Sequence, residues 1–136
     1  MENPVVLFVD DEIEFLEILM KRMDKRNVAV HGAASGEEAL AWLDAHDADV
    51  VVLDVKMPGM DGIQTLRKIK AAKPALEVIM LTGHADIEAA REGMSLGAFD
   101  YIMKPFNLDE LLYKVQDACL MRRIQADASR EVRQEQ

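Results

Sequence analysis

The sequence predicts an α/β protein in which a five-stranded, doubly wound parallel sheet is flanked by five helices. Short, uninterrupted apolar runs such as Val50–Leu53 are typical of strands buried on both faces of a parallel sheet. These runs alternate with segments whose apolar residues recur at helical spacing, which indicates parallel strands joined by right-handed crossovers. The 136 residues suit one such sheet with the strand order 2-1-3-4-5.

Strands are expected at five places along the chain. The second is more polar than the others and its apolar residues mostly alternate, so we expect it at an edge of the sheet. The third runs directly into a turn built from Pro58, Gly59 and Gly62. The expected strands are Val5–Val9, Val28–Ala33, Asp49–Asp54, Glu77–Thr82 and Phe99–Met103.

A helix is expected after each strand, and three begin with residue pairs at capping-box spacing. These pairs are Ser35 with Glu38, Asp61 with Gln64, and Asn107 with Glu110. The helices are expected from Ile13 to about Arg26, from Ser35 to near His46, from Asp61 to Pro74, from Ala85 to Leu96, and from Asn107 onward. Gly97 should close the fourth helix as its C-terminal cap.

Composition limits the classes of protein that fit. The formal net charge of −9 disfavours non-specific binding of nucleic acid or anionic membranes by this domain. The single cysteine, Cys119, excludes an intramolecular disulfide and a cysteine metal cluster. The sequence lacks a signal-peptide pattern and an apolar stretch near the ~18 residues that span a bilayer, so we expect a cytoplasmic protein.

Polar side chains stand at the carboxyl ends of four expected strands. Asp10 and Asp11 follow the first strand, Asp54 ends the third, Thr82 ends the fourth, and Lys104 follows the fifth. A parallel sheet brings these ends to one edge, so we expect the five side chains in one crevice. Each alone also fits a structural role such as a cap or turn, but their coincidence at four strand ends favours a functional site.

The chemistry of this set favours phosphoryl transfer. Three neighbouring carboxylates repel one another and need a cation, and oxygen ligands without histidine or cysteine favour Mg²⁺ over zinc. Mg²⁺ with a lysine ammonium and a threonine hydroxyl forms a receptor for a phosphoryl group. A carboxylate in that receptor is a nucleophile that yields an acyl phosphate, and Asp54 fits best because it stands alone on the central strand.

The chain resembles the bacterial two-component response-regulator receiver domains, which are CheY-like phosphoacceptor domains. The matching stretches are Val9–Glu12, Leu53–Gly62, Leu81–Gly83, Gly97–Tyr101 and Lys104–Phe106. They occur in the family's order and spacing over roughly residues 4–120. The resemblance implies a flavodoxin-like fold that accepts a phosphoryl group on Asp54 from a sensor histidine kinase or phosphotransfer protein. The signal would then leave through the face formed by the fourth helix, fifth strand and fifth helix.

The resemblance also implies roles at the metal and the nucleophile. Asp54 would be the phosphoacceptor and a metal ligand. Asp11 would bind Mg²⁺ directly and Asp10 through water, and the main-chain carbonyl of Lys56 would supply a further ligand. The protein would act catalytically only on its own phosphorylation and dephosphorylation.

The switch residues follow in the same way. Lys104 would pair with the phosphoryl group, Thr82 would swing toward it, and Tyr101 would follow from an exposed to an inward rotamer. The bond between Lys104 and Pro105 would be cis, an isomer of modest cost only before proline. Lys56 and His84 lie at the rim, and we hypothesise that they set the acyl phosphate lifetime. An unchanged dephosphorylation rate after exchanging those two residues would contradict this.

Beyond the domain expected at residues 1–120, residues 121–136 are expected to form a C-terminal helical extension or linker. Met121, Ile124, Ala128 and Val132 make a thin apolar stripe among alternating charges. The segment fits a solvated helix extension, a linker to an output domain, or a short coiled coil in a dimer, and the linker is favoured. From the resemblance, a homodimer through the face of the fourth helix, fifth strand and fifth helix is a further hypothesis, as expected for many relatives, and control of transcription would be a typical output.

Three alternatives remain. A phosphohydrolase of the haloacid dehalogenase type would need a second acid two residues after the nucleophile, where Lys56 stands, and a cap insertion. A flavodoxin-like cofactor binder would need a phosphate loop after the first strand, where Asp10, Asp11 and Glu12 would repel a phosphate. A plain interaction module with a vestigial site is disfavoured by the complete set of polar residues.

Overall fold

A computed structural model describes residues 4–135, apart from the side chains of residue 129 and residues 131–135. Five parallel strands form one sheet in the order β2-β1-β3-β4-β5, so the predicted fold class and strand order are confirmed. The strands are β1 (Val5–Val9), β2 (Ala29–Ala33), β3 (Val50–Asp54), β4 (Glu77–Thr82) and β5 (Asp100–Met103). The helices are α1 (Ile13–Asp24), α2 (Gly36–Ala45), α3 (Gly62–Ala72), α4 (Ile87–Ser95) and α5 (Leu108–Glu135). Within this described range, no helix is both long and apolar enough to cross a membrane.

The sheet separates two apolar layers. Alternate residues of the strands face α2, α3 and α4 on one side, and α1 and α5 on the other. β3 lies in the middle of the sheet, and all five of its residues are buried. Burying one aliphatic side chain of this size stabilises the fold by about 1.5–3 kcal/mol, so β3 is among the most firmly held elements.

Some element boundaries differ from the sequence-based expectation. The fourth helix does not begin at Ala85, because a 3₁₀ turn at His84–Asp86 precedes α4. In that turn the Asp86 N–H donates to the Gly83 carbonyl at 3.1 Å. Ile13 has the helical spacing of a residue on the buried face of the first helix, but it is 59% exposed.

The capping pairs behave differently from one another. Asp61 accepts from the Gln64 N–H at 2.9 Å, and the Gln64 side chain accepts from the Asp61 N–H at 3.2 Å, as a capping box requires. Ser35 also caps α2 through the Glu38 N–H at 3.1 Å. The Glu38 carboxylate, however, accepts a hydrogen bond from the Ala34 N–H at 3.1 Å, whereas a capping box predicts the Ser35 N–H as the donor.

The start of α3 packs directly on the end of β3. A Cβ built on Gly62 would overlap the Asp54 carbonyl oxygen and lie 2.7 Å from the Cα of Val55. The Gly62 N–H donates to the Val55 carbonyl at 3.0 Å, so the close approach is also hydrogen-bonded. Only glycine fits there, and the contact fixes the segment that carries Asp54.

We expect Gly62→Ala to destabilise the protein by about 1–3 kcal/mol, because the added methyl group meets backbone atoms that cannot move aside. Gly83→Ala is the matched control, because a Cβ at Gly83 has nothing within 4 Å. Urea unfolding of both variants measures the difference. Equal midpoints for the two variants would contradict the close-packing account.

Candidate functional site

Three carboxylates meet at the carboxyl edge of the sheet. Asp10 follows β1 and is fully buried, Asp54 is the last residue of β3 and is 7% exposed, and Asp11 is exposed. One carboxylate oxygen from each lies within 4.8 Å of the others. The crevice expected from the strand ends therefore contains all three acidic residues.

Lys104 bridges the two buried carboxylates. Its Nζ lies 3.3 Å from Asp10 Oδ2 and 3.2 Å from Asp54 Oδ2. The backbone holds the partners in place: the Lys104 N–H donates to the Thr82 carbonyl at 2.7 Å, and the Asp10 N–H to the Ala33 carbonyl at 3.0 Å. The ammonium is thus aimed at the carboxylates by strand pairing on both sides of the crevice.

The second oxygen of each buried carboxylate accepts a local backbone hydrogen bond. Asp10 Oδ1 accepts from the Glu12 N–H at 2.9 Å. Asp54 Oδ1 accepts from the Lys56 N–H at 3.2 Å. These bonds fix the rotamers of both carboxylates, so the repulsion between them cannot be relieved by simple rotation.

Burial raises the pKa of Asp54, and the Asp10 carboxylate raises it further, while Lys104 and the Lys56 N–H act in the opposite direction. Burial alone would lower the pKa of Lys104, but the carboxylates of Asp54 and Asp10 outweigh it, so its pKa is also raised. An ion pair by itself would lower the pKa of the acid. The pKa of Asp54 and that of Lys104 can both be raised, because one ammonium does not neutralise the acidic crevice.

The donor set fits a hard divalent cation. All three side chains offer carboxylate oxygens, and the exposed position of Asp11 leaves one side of the group open to solvent. Magnesium prefers such oxygen ligands and keeps several waters. A cleft of about 570 Å³ opens above the group, with Asp11, Asp54, Lys56, Gly83 and Lys104 among the residues that line it.

Of the remaining predicted site residues, Lys56 lines this cleft, and the others lie elsewhere on β4, β5 and the loops that follow them. Thr82 is 1% exposed, and its hydroxyl donates to the Gly83 carbonyl at 3.1 Å. Tyr101 is half-buried and packs on the apolar layer shared with α3 and α4. Lys56 and His84 are exposed, and their role in the phosphoryl lifetime stays a prediction. The Lys104–Pro105 peptide bond is cis.

Sequence reasoning missed one neighbour of the lysine. Phe15 of α1 places its ring beneath Lys104, with Nζ 5.9 Å from the ring centroid. Helical spacing gave no signal for this contact, because Phe15 and Lys104 are far apart in the chain. A sequence signal for an aromatic environment of Lys104 is Phe106, directly after the Lys104–Pro105 pair.

Comparison with known families agrees with this geometry. The family model described as "Response regulator receiver domain" matches residues 6–116, which include every residue of the crevice. The chain belongs to the response regulator receiver domain family. This assignment supports a phosphoacceptor signalling role and not the haloacid dehalogenase alternative.

Two curated proteins that are similar to this chain are longer transcriptional regulators. The chain is 39% identical over 121 residues to the C4-dicarboxylate transport transcriptional regulatory protein DctD of Rhizobium meliloti, covering 89% of this chain and 26% of DctD. It is 37% identical over 118 residues to the DNA-binding transcriptional regulator NtrC of Salmonella typhimurium, covering 87% of this chain and 25% of NtrC. The chain thus spans about a quarter of the length of these relatives.

A crystal structure of a response regulator receiver domain protein from Clostridium thermocellum has the same fold. It superposes with a TM-score of 0.86 at 32% identity, covering 90% of this chain and 98% of that protein. The strand order and the positions of the five helices are therefore those of the receiver family.

The raised pKa of Asp54 sets an expectation for stability without divalent cations. The folded protein binds a proton at Asp54 more tightly than the unfolded chain does, so this carboxylate opposes folding once pH exceeds the folded pKa. Asp54→Asn should therefore raise Tm at neutral pH. The gain should shrink as pH falls through the folded pKa and vanish below the unfolded pKa.

Thermal unfolding from pH 7 downward measures this difference between the two proteins. A lower Tm for Asp54→Asn at neutral pH would show that the Lys104 ion pair outweighs burial and the Asp10 repulsion, contrary to the account.

Proposed function

We propose that this receiver domain accepts a phosphoryl group on Asp54 from a sensor histidine kinase or phosphotransfer protein, in a Mg²⁺-dependent reaction. One observation carries the proposal: Lys104 Nζ lies within hydrogen-bonding distance of both Asp10 and Asp54 at the base of an open cleft. The nucleophile, a fixed cation and room for an incoming phosphoryl group therefore occur together.

In the transfer, an Asp54 carboxylate oxygen attacks phosphorus and forms the new P–O bond, while the bond from phosphorus to the donor's histidine nitrogen breaks. That nitrogen keeps the electron pair of the broken bond, and the product on the receiver is an acyl phosphate. Asp54 must be ionised to attack, and Lys104 favours that form although burial opposes it. The choice of a histidine-bearing phosphoryl donor rests on the family to which the chain belongs.

The carboxylates of Asp10, Asp11 and Asp54, with the main-chain carbonyl of Lys56, would hold the metal ion. When bound, Mg²⁺ offsets the negative charge that gathers on the phosphoryl oxygens during transfer. Lys104 would contribute a fixed positive charge, since its ammonium lies 3.2 Å from Oδ2 of the carboxylate that would receive the phosphoryl group.

Phosphorylation would act on a segment that has room to move. The Thr82 hydroxyl would leave the Gly83 carbonyl to donate to a phosphoryl oxygen, and a Cβ built on Gly83 would have nothing within 4 Å. The exposed Arg67–Glu92 pair between α3 and α4, at 3.4 Å, adds at most about 1 kcal/mol against a shift of α4. Tyr101 would then move inward, changing the face formed by α4, β5 and α5 through a population shift.

The C-terminal segment would connect this switch to an output. Helix α5 runs without a break from Leu108 to Glu135, and Arg122 pairs with Asp49 at 3.2 Å, at the edge of the sheet opposite the crevice. Past this contact, Ile124 is 52% exposed, and the Val132 side chain lies outside the described part of the chain. We propose that residues 121–136 lead to an output domain, because DctD and NtrC are transcriptional regulators about three and a half times as long as this chain.

A dimer is the second assembly that the segment supports. Leu120 and Ile124 are four residues apart on one exposed side of α5, as a helix pair requires, and Met121 is 40% exposed beside them. Sedimentation measures the assembly, since a monomer before and after phosphorylation would contradict dimerisation through either α5 or the α4-β5-α5 face.

Incubation with Mg²⁺ and acetyl phosphate should add one phosphoryl group that hydroxylamine removes, as intact mass spectrometry would show. Asp54→Asn should abolish the gain because the nucleophile is lost. Asp109→Asn, a change at an exposed residue in the first turn of α5, is the matched control and should keep it. A label that survives Asp54→Asn, or no label on the wild-type protein, would contradict the proposal. Steady hydrolysis of many phosphate monoesters would instead support a phosphohydrolase.

A further inference from the structure

Three aromatic rings form a row behind Lys104. The row consists of Phe8 on β1, Phe15 on α1 and Phe106 in the loop before α5. The Phe8 and Phe15 centroids are 6.0 Å apart at an interplanar angle of 64°, and those of Phe15 and Phe106 are 6.2 Å apart at 81°. Both are favourable edge-to-face contacts. Since Phe8 is fully buried, the orientation of the Phe15 ring is set from both sides.

The row joins the two loops that carry the ion pair. Phe8 lies two residues before Asp10, and Phe106 lies two residues after Lys104. Phe15 is the link between them and presents its ring face to the Lys104 ammonium, with Nζ 5.9 Å from the centroid. This distance is within the range of a cation–π interaction.

The ammonium of Lys104 therefore has two kinds of neighbour. Asp10 and Asp54 accept from Nζ at 3.3 and 3.2 Å, and the aromatic face lies beneath it. Lysine carries its charge on a flexible four-carbon stem, so carboxylate contacts alone leave several rotamers available. The Phe15 ring reduces the number of rotamers available to Lys104 without accepting a conventional hydrogen bond.

We propose that Phe15 is a positioning residue for phosphoryl transfer, whose ring face holds the Lys104 ammonium where it can meet the incoming phosphoryl group. The inference rests on the proposed function of Asp54. During transfer, Lys104 must exchange a carboxylate oxygen for a phosphoryl oxygen. A third carboxylate in place of Phe15 would hold the ammonium back, whereas an uncharged ring face keeps it close and leaves it free to re-pair.

The surroundings of Phe15 distinguish this role from simple core packing. The ring is half-buried and forms part of the wall of an open cavity of about 450 Å³ between α1 and the loop before α5. Leu16, Leu19 and Met23 are the buried residues of the same helix. The ring of Phe15 is therefore directed toward the lysine and the other rings at the margin of the core.

Two readouts test the proposal, and the first needs no phosphoryl donor. The NMR shifts of the Lys104 ε-methylene protons report the aromatic ring current, and the saturating rate with acetyl phosphate and Mg²⁺ reports positioning. Phe15→Leu should remove the upfield shift and lower the saturating rate about two- to fivefold, as expected for an exposed cation–π contact. Phe15→Tyr should restore both values, because it retains the ring.

Phe99→Leu is the matched control, since it removes a ring from the same apolar layer but outside the row. It should leave the Lys104 shift and the rate near the wild-type values. Far-UV circular dichroism checks the fold of each variant, and Phe15→Met replaces Phe15→Leu if the leucine variant does not fold.

Equal Lys104 shifts in the wild-type and ring-less proteins would overturn the proposal. An unchanged saturating rate, or a Phe15→Tyr variant as slow as Phe15→Leu, would overturn it as well. If the wild-type protein takes no phosphoryl group at all, the proposed function fails, and the NMR comparison still decides whether Phe15 holds Lys104.

Discussion

The proposed function depends on one interaction, the contact of the Lys104 ammonium with the two buried carboxylates of Asp10 and Asp54. Lys104 Nζ lies 3.3 Å from Asp10 and 3.2 Å from Asp54, while the exposed Asp11 completes the acidic group. One positive charge cannot balance three carboxylates, so the crevice favours a further cation. A site that is short of positive charge, yet has a fixed lysine, suits a reaction that needs a bound metal ion before a phosphoryl group arrives.

The fold holds the Asp54 side of this crevice firmly, and the Thr82 hydroxyl on the neighbouring strand makes one local hydrogen bond. β3 is buried along its whole length, and Gly62 packs against the backbone of Asp54 and Val55. Across the crevice, Thr82 bonds only to the neighbouring Gly83 carbonyl among the contacts described for its hydroxyl, and a tight 3₁₀ turn follows. Asp54, the proposed nucleophile, is therefore held firmly, and the Thr82 hydroxyl has one neighbouring carbonyl to leave before it can donate to a phosphoryl group.

The features predicted from sequence are those that depend on local patterns. The apolar runs located the strands because burial on both faces leaves no alternation. Asp61 and Gln64 identified the start of α3 because a capping box involves residues three apart. The acidic crevice was predictable because parallel topology brings strand ends to one edge, although that rule places side chains near one another without giving their distances.

What the sequence could not predict depends on contacts between distant residues. The Phe15–Lys104 contact and the Arg122–Asp49 pair join segments that no local pattern relates. Ile13 has the spacing of a buried residue but is 59% exposed, which only the assembled structure reveals. The 3₁₀ turn before α4 was not predicted either, because the small residues from Ala85 onward suggest an uninterrupted helix.

The central claim is that the crevice binds Mg²⁺ first and that a phosphoryl group on Asp54 then shifts the segment from Thr82 to Tyr101. Backbone NMR during titration with Mg²⁺, followed by beryllofluoride as a phosphoryl analogue, tests it most directly. We expect Mg²⁺ alone to shift amides near Asp10, Asp11 and Asp54. Beryllofluoride should extend the changes to Thr82, α4 and Tyr101, and Asp54→Asn should abolish that second response. A beryllofluoride response that persists without Mg²⁺ or in Asp54→Asn, or changes that stay confined to the crevice, would contradict the account.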